Sequence, residues 1–254
     1  MNGKLLVRSC VLVAIVSGSA AAQPSTEWPI HAKDRPQPPV VQPGNDALPV
    51  KAPADAVVLF DGTDLSKWVH ENGNAAGWVV GDGFFEVKRG TGNILTRDAF
   101  GDAHLHVEWM APLPVTGAGQ GRGNSGVYVL NRYEVQVLDS HDNVTYPDGQ
   151  AAAIYGQYPP TANASRPPGQ WQSYDIIYHG PRWDSSGRLT RPATITVMHN
   201  GVKVQDEVKL SGPTGHYARP PYGRTRRRCR SFCRTMVTPS VSGTSGFGNC
   251  DKGG

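Results

Sequence analysis

The segment 133–139, which reads YEVQVLD, alternates between apolar and polar residues. Side chains along a β-strand point to opposite faces in turn, so this alternation predicts a strand with two unlike faces. Glu134 and Gln136 share one face of that strand, and the apolar residues around them share the other. One face is therefore suited to packing, and the other to binding or catalysis.

The segment 103–109, AHLHVEW, shows the same alternation. His104, His106 and Glu108 share one face, and the apolar residues between them share the opposite face. Two strands with polar faces rich in His and Glu predict a concave sheet that faces a ligand. A solvated outer face is the ordinary alternative for either strand taken alone.

Short strand patterns separated by Gly and Pro continue along the chain, and no strong helical periodicity interrupts them. Residues 127–130 and 133–138 read as a hairpin, and Asn200-Gly201 marks a second hairpin between ATITVMH and VKVQDEVKL. With no internal repeat, the 254 residues predict one all-β domain. The expected architecture is a two-sheet antiparallel sandwich.

The first residues have the composition of a secretory signal peptide, with Lys4 and Arg8 before an apolar run and small residues up to Ala22. We expect residues 1–22 to be this signal, which predicts a periplasmic or secreted protein without a membrane anchor after cleavage. Residues 23–55 are rich in Pro and Gln and are expected to be a disordered linker or an arm laid across the domain. The folded domain is then 56–223.

The tail from Arg224 onward differs abruptly in composition, with an arginine cluster and no hydrophobic periodicity. If the reading frame of the gene is shifted by one base, the codons of residues 236–239 permit the sequence HGNP. Those of residues 242–250 permit FRNIWIREL followed by a stop codon. These strings are typical of strands that close a sandwich. We therefore interpret 224–254 as a frameshifted, non-native tail with an irregular structure.

The tail also changes the interpretation of the net charge and of the cysteines, because it contains many of the basic residues and most of the cysteines. The formal net charge is +4, but the tail carries seven basic residues and one acidic residue, so the charge without it is −2, and −4 once Lys4 and Arg8 are removed. Basicity therefore does not indicate a nucleic-acid partner. The four cysteines lie in the signal or the tail, so neither a disulfide framework nor a cysteine zinc site is expected in the domain.

Several motifs in order resemble one known family: LFDG-DLS-W, HLHVEW, GRGNSGVYVLNRYEVQVLDS, DGQAAAIYGQYPP and PPGQWQSYDIIYHGPR. Together they resemble the 3-keto-disaccharide hydrolase domain, formerly domain of unknown function 1080, from about Val57 to Tyr222. The resemblance implies a jelly-roll fold similar to concanavalin A. It also implies cleavage of glycosides oxidised to a ketone at sugar carbon 3, by hydrolysis or by elimination followed by hydration.

This chemistry needs a base, because the ketone acidifies the hydrogen on carbon 2 and a positioned carboxylate or histidine can remove it. The candidate catalytic residues are Glu134, Glu108 and Gln136. The candidates for binding substrate lie on the polar strand faces, in the Gly-rich loop 119–126 (GQGRGNSG), at a strand end or among the aromatic residues: His106, Arg122, Asn124, Asp139, Tyr155 and Trp171. For each single aromatic residue, packing in the core is the common alternative.

A divalent ion is a possible cofactor, because His106, Glu108 and Glu134 offer ligands that would polarise a ketone oxygen. No compact metal motif is present, so the cofactor stays open. A carbohydrate is the expected partner, and the oligomeric state is open. The alternative function is a non-catalytic carbohydrate-binding jelly roll, since one fold serves both roles. The aligned carboxylates favour the enzyme.

Overall fold

The computed structural model describes residues 28–45, 48–223, 232–234 and 241–249. Within these ranges the chain forms fifteen strands and two short 3-10 turns, Gly119–Gly121 and Pro147–Gly149. No helix in the described ranges is long and apolar enough to cross a membrane. In chain order the strands are β1 Val57–Phe60, β2 Trp68–His70, β3 Val79–Gly81, β4 Phe84–Glu86, β5 Ile94–Thr96, β6 Ala103–Met110, β7 Ser125–Val129, β8 Tyr133–Val137, β9 Trp171–His179, β10 Arg182–Trp183, β11 Leu189–Arg191, β12 Thr194–His199, β13 Val202–Lys209, β14 Phe232–Arg234 and β15 Val241–Asn249.

The strands form two main sheets and one small hairpin sheet. The larger sheet has the order β13-β12-β9-β6-β15-β4-β3, with β1 also paired to β15, and the smaller sheet has the order β2-β5-β14-β7-β8. Strands β10 and β11 pair with each other. The pairings of both main sheets are antiparallel, so the predicted all-β antiparallel sandwich is confirmed.

The core lies between the two main sheets. Leu105, Val107 and Trp109 of β6 belong to the same buried cluster as Tyr133 and Val135 of β8. Because side chains alternate along a strand, the polar residues of both strands must lie on the outward faces of their sheets. The alternation in the sequence thus predicts correctly which side chains pack in the core.

The two predicted hairpins are present. In the turn between β7 and β8, Leu130 and Asn131 have φ values of 54° and 57°; in the turn between β12 and β13, Asn200 and Gly201 have φ values of 49° and 75°. Two consecutive residues with positive φ are characteristic of the type I′ turn. Two residues connect β12 to β13, and three residues, 130–132, connect β7 to β8. The local sequence therefore sets the register of β8, which carries Glu134.

Residues 28–45 lie along the domain as an arm. Val41 N–H donates to the Asn163 carbonyl (3.0 Å), and Gly44 N–H donates to the Asn200 carbonyl (2.7 Å). Further along the chain, the backbone N–H of Val50 donates to Glu108 Oε1 on the outward face of β6 (2.5 Å). The N-terminal segment therefore contacts the loop at Asn163, the β12–β13 turn and the outer face of the larger sheet. The predicted signal, residues 1–22, lies outside the described residues.

The C-terminal tail departs from the predicted irregular structure at two segments. Strand β14 lies between β5 and β7 in the smaller sheet, and β15 lies between β4 and β6 in the larger sheet. Each segment completes the backbone hydrogen bonding of strands on both of its sides. The sandwich therefore uses this part of the chain, and the interpretation of 224–254 as frameshifted stays a prediction.

Candidate active site

Glu134 and Gln136 lie on the outward face of β8, at the edge of the smaller sheet. Both have no exposed surface. The chain at 152–155 runs beside β8 and pairs with it: Gln136 N–H donates to the Ala153 carbonyl (2.9 Å), and Tyr155 N–H donates to the Glu134 carbonyl (3.1 Å). The edge of β8 is therefore covered, which satisfies its backbone groups.

The Glu134 carboxylate is held in a narrow space built by the neighbouring strand. Tyr128 on β7 lies opposite Glu134, and its hydroxyl donates to Glu134 Oε2 (2.6 Å). Gly126 lies two residues before Tyr128, and a Cβ atom added there would collide with the Glu134 carboxylate. Glycine is therefore required at this position to admit the carboxylate. The Glu134 N–H donates to Thr214 Oγ1 (2.9 Å), which ties β8 to a distant loop.

Gln136 belongs to a network of amide groups beside Glu134. Its Nε2 donates to Gln120 Oε1 (2.9 Å), and Asn124 Nδ2 donates to the Gln120 carbonyl (2.8 Å). Gln120 Nε2 in turn donates to the Gly149 carbonyl (2.8 Å). Gln136 Oε1 is buried and has no hydrogen-bond partner among the described residues. Such an acceptor is suited to a hydroxyl group or a water molecule.

Arg122 and Asp139, two predicted substrate-binding residues, bind each other. Arg122 Nε donates to Asp139 Oδ2 (2.6 Å), and its Nη2 donates to the His141 carbonyl (2.8 Å). Asp139 is buried at 2% exposure, so this ion pair is shielded from water. The pair joins the Gly-rich loop to the end of β8. Both side chains therefore position the loop through their mutual contact.

Tyr155 packs in an aromatic cluster under the arm. Its hydroxyl lies 2.7 Å from that of Tyr146, and its ring centroid lies 4.9 Å from that of His31. His31 also contacts Asp148 through its backbone N–H (3.0 Å). With 3% exposure, Tyr155 has no open ring face for a sugar. Its role in the described structure is to hold the arm.

His106 and Glu108 form a second polar cluster, on the outward face of the larger sheet. His106 Nδ1 lies 2.9 Å from Asp175 Oδ1, and its Nε2 lies 3.3 Å from Glu108 Oε1. His104 Nε2 contacts the same Asp175 oxygen at 3.0 Å. Burial by itself lowers the pKa of His106, but the hydrogen bonds and charges of Asp175 and Glu108 outweigh it and raise that pKa to about 9. The contacts with His106 and His104 hold the pKa of Asp175 below its usual range, although burial opposes this.

The structure does not bring the two polar clusters together. Glu134 and Gln136 lie outside one sheet, His106 and Glu108 lie outside the other, and the apolar core separates them. The predicted ligand set of His106, Glu108 and Glu134 therefore does not form one metal site. In the described part of the chain, no group of three or more His, Cys, Asp or Glu residues is arranged to hold a metal ion.

Trp171 lies at the start of β9, with its ring centroid 6.0 Å from that of Phe84. It is partly exposed and lines a cavity of about 800 Å³ beside the arm. Glu134, Gln136 and Asn124 do not line this cavity. The candidate residues are thus distributed over five places: the Glu134 site, the Arg122–Asp139 ion pair, the aromatic cluster of Tyr155, the His106 cluster and the cavity at Trp171.

Sequence reasoning missed several residues that build these places. Tyr128 and Gly126 follow from the hairpin register, because they lie opposite Glu134 and Gln136 across the three-residue connection 130–132. Asp175 alternates with apolar residues in β9, but its pairing with His106 is a contact between distant segments. Gln120 lies in a loop and carries no periodic signal.

Comparisons with known proteins define the class of this protein. Residues 55–230 match the family described as the 3-keto-alpha-glucoside-1,2-lyase-like domain. A solved structure of a candidate glycosyl hydrolase from Parabacteroides distasonis ATCC 8503 is 40% identical, with a TM-score of 0.76 over 84% of this chain and 92% of that one. The chain therefore belongs to the 3-keto-alpha-glucoside-1,2-lyase-like family and is an enzyme of a carbohydrate-acting kind.

Two more candidate glycosyl hydrolases from the same organism share the fold at lower identity. One is 19% identical with a TM-score of 0.55, covering 76% of this chain and 93% of that chain. The other is 18% identical with a TM-score of 0.56, covering 76% and 98%. Among curated proteins, none matches this sequence.

Proposed function

We propose that this enzyme cleaves 3-keto-glycosides, with Glu134 as the base that removes the hydrogen from carbon 2 of the oxidised sugar. The observation that carries the proposal is the setting of Glu134 in a chain of this family. Its carboxylate is removed from water, held by the Tyr128 hydroxyl and placed over Gly126. Beside it, the amide oxygen of Gln136 has no partner among the described residues.

The reaction follows from the acidity of the carbon 2 hydrogen. Glu134 accepts that proton, and the electrons of the C–H bond form an enolate with the ketone at carbon 3. The enolate then expels the glycosidic oxygen from carbon 1, which leaves as the alcohol after taking up a proton. Addition of water across the resulting double bond completes a net hydrolysis. Hydrogen bonding by the amide of Gln136 orients a sugar hydroxyl during these steps.

The burial of Glu134 has a consequence for access. Because the carboxylate has no exposed surface, a sugar reaches it only when the outward face of the smaller sheet opens. A carboxylate that is shielded until substrate arrives is also protected from competing proton exchange with water. We further propose that the enzyme acts in the periplasm or outside the cell, which rests on the signal-like pattern of residues 1–22.

The test measures the release of nitrophenol from a nitrophenyl 3-keto-glucoside and from its unoxidised parent. Glu134→Gln keeps the shape and the Tyr128 contact but removes the base, so turnover should fall by roughly 10²-fold or more. Glu207→Gln changes an exposed carboxylate on β13 and is the matched control. The wild-type chain should cleave the oxidised sugar and leave the parent intact.

Two results would count against the proposal. Near-normal turnover by a folded Glu134→Gln variant would remove Glu134 from the mechanism. If Glu108→Gln lost activity and Glu134→Gln kept it, the His106 cluster on the opposite sheet would be the active site. A wild-type chain that binds sugars but cleaves neither substrate would instead support the non-catalytic carbohydrate-binding function.

A further inference from the structure

A cavity of about 800 Å³ lies between the arm and the loop that precedes β9. Its size falls within the range of about 300–1,000 Å³ that is usual for small-molecule sites. One wall comes from the arm and the other from the loop, and His141 also lines the cavity. The lining residues are Val40, Val41, Gln42, Pro43, Gly44, Asn45, Leu48, His141, Ser165, Arg166, Pro167, Gly169, Gln170 and Trp171.

The walls of this cavity are fixed to each other by Arg166. Its Nη1 donates to the Trp171 carbonyl and its Nη2 donates to the Gly44 carbonyl, each at 2.7 Å. The arm is also held by the backbone bonds of Val41 to Asn163 and of Gly44 to Asn200. A site with walls already in place loses little freedom on binding a ligand. The arm is therefore a structural part of the cavity.

The lining combines one partly exposed aromatic ring with neutral amides, together with Arg166 and His141. Trp171 is partly exposed, and the amides of Gln42, Asn45 and Gln170 surround the same space. Ser165 is only 8% exposed, and its Oγ has no hydrogen-bond partner among the described residues. None of the lining residues is acidic, which disfavours a cation. A buried hydroxyl without a partner marks a place where a ligand supplies one.

We propose that this cavity binds a neutral pyranose sugar, with Trp171 as the surface against which the ring packs. One face of a glucose-type ring presents C–H groups, which suit the negative face of an indole, and its edge presents hydroxyls, which suit amides and Ser165. An anion fits less well, because Arg166 directs two of its N–H groups to backbone carbonyls.

This inference goes beyond the proposed catalytic function and does not require 3-keto chemistry. Neither Glu134 nor Gln136 lines the cavity, nor do their hydrogen-bond partners Tyr128, Thr214 and Gln120. The cavity is therefore a second place for carbohydrate, separate from the Glu134 site. Binding of an unoxidised sugar tests it apart from turnover.

The experiment is a calorimetric titration of the purified chain with cellobiose, which has two glucose rings, supported by ligand-observed NMR. Wild type should bind saturably, and Trp171→Ala should weaken the affinity at least about tenfold, as expected for loss of a tryptophan anchor. Trp183→Ala is the matched control, because Trp183 lies on β10, contacts Tyr222 and is outside the cavity. It should bind cellobiose as the wild type does.

The Ser165→Ala variant distinguishes an effect on cellobiose binding from an effect on folding. Since Ser165 Oγ has no partner among the described residues, its removal should leave the melting temperature unchanged or raise it, while cellobiose affinity falls about 3- to 10-fold. Absence of saturable cellobiose binding by the wild type, or equal binding by Trp171→Ala, would overturn the inference. So would saturable binding of inorganic phosphate without binding of cellobiose. A chain that binds cellobiose but does not cleave the 3-keto-glucoside would support the cavity and contradict the proposed function.

Discussion

Restoring the shifted reading frame from Arg224 onward should stabilise this protein by several kcal/mol. Strand β15 is the reason: it separates β4 from β6 in the larger sheet and is the strand with which β1 pairs. The β3–β4 hairpin also joins the larger sheet through it. The stability of the pairing made by β15 therefore decides how firmly β1, β3 and β4 are held in the larger sheet.

The magnitude follows from the register of β15. Position 245 is paired with Val107 and position 247 with Leu105, and both partners are core residues. In the shifted frame, the changes there are Ser245→Ile and Phe247→Ile, and three glycines in the strand are replaced by larger residues. Burying an isoleucine contributes about 1.5–3 kcal/mol, and each interior glycine removed contributes about 0.5–1 kcal/mol. We expect a total of roughly 3–6 kcal/mol, or about 10–20 °C in melting temperature.

The assay compares the two chains in thermal and urea melts followed by circular dichroism, with limited proteolysis of the tail. The restored chain should be soluble and melt cooperatively, and Ser245→Ile in the written chain should recover part of the gain. Resequencing the gene tests the origin of the tail separately. If the written chain were as stable as the restored one, with the residues beyond Gly223 protected from protease, the tail would be native and the interpretation wrong.

Three further predictions concern the two polar clusters and the substrate. The folded-state pKa of His106, about 9, lies above its ordinary value of 6.5, so the stability that its protonation provides is complete below about pH 6.5 and is lost as the pH rises to about 9. The difference in free energy of unfolding between wild type and His106→Gln, measured by urea melts, should therefore shrink by at most about 3 kcal/mol over that pH range. A difference that stays constant with pH would contradict this. Gly126→Ala should displace the Glu134 carboxylate, lower the free energy of unfolding by about 1–3 kcal/mol and lower turnover about tenfold or more. A variant with unchanged stability and turnover would show that there is room for a methyl group between Gly126 and the carboxylate. The enzyme should cleave a 3-keto-glucoside and not its unoxidised parent, because only the ketone acidifies the hydrogen on carbon 2. Equal rates of cleavage of the two sugars would exclude this acidity as the source of reactivity.

Local patterns in the sequence predict much of the fold. The Asn200-Gly201 turn and the turn at Leu130-Asn131 both form, because positive φ at two adjacent positions is a short-range property of the chain. The alternation in β6 and β8 predicts which residues enter the core. Since the turn fixes the register of β7 against β8, the placement of Tyr128 beside Glu134 is also contained in the local sequence.

The candidate site was predicted less completely, for a physical reason visible in two cases. Arg122 and Asp139 read as separate polar groups in loops, but their opposite charges pair when the chain brings them to 2.6 Å. Trp171 and the arm are more than a hundred residues apart, and the cavity between them depends on hydrogen bonds from Arg166 to both walls. Contacts of this kind have no periodicity that could reveal them in advance.

By itself, the sequence determined the face on which each polar side chain lies, the positions of the tight turns and the family of the protein. The tertiary structure alone decided that β6 and β8 belong to different sheets, so that His106 and Glu108 lie across the core from Glu134. The physical reason is the range of the forces involved. Alternation is a property of neighbouring residues, whereas the partner of a strand is chosen by backbone hydrogen bonds and packing between distant segments.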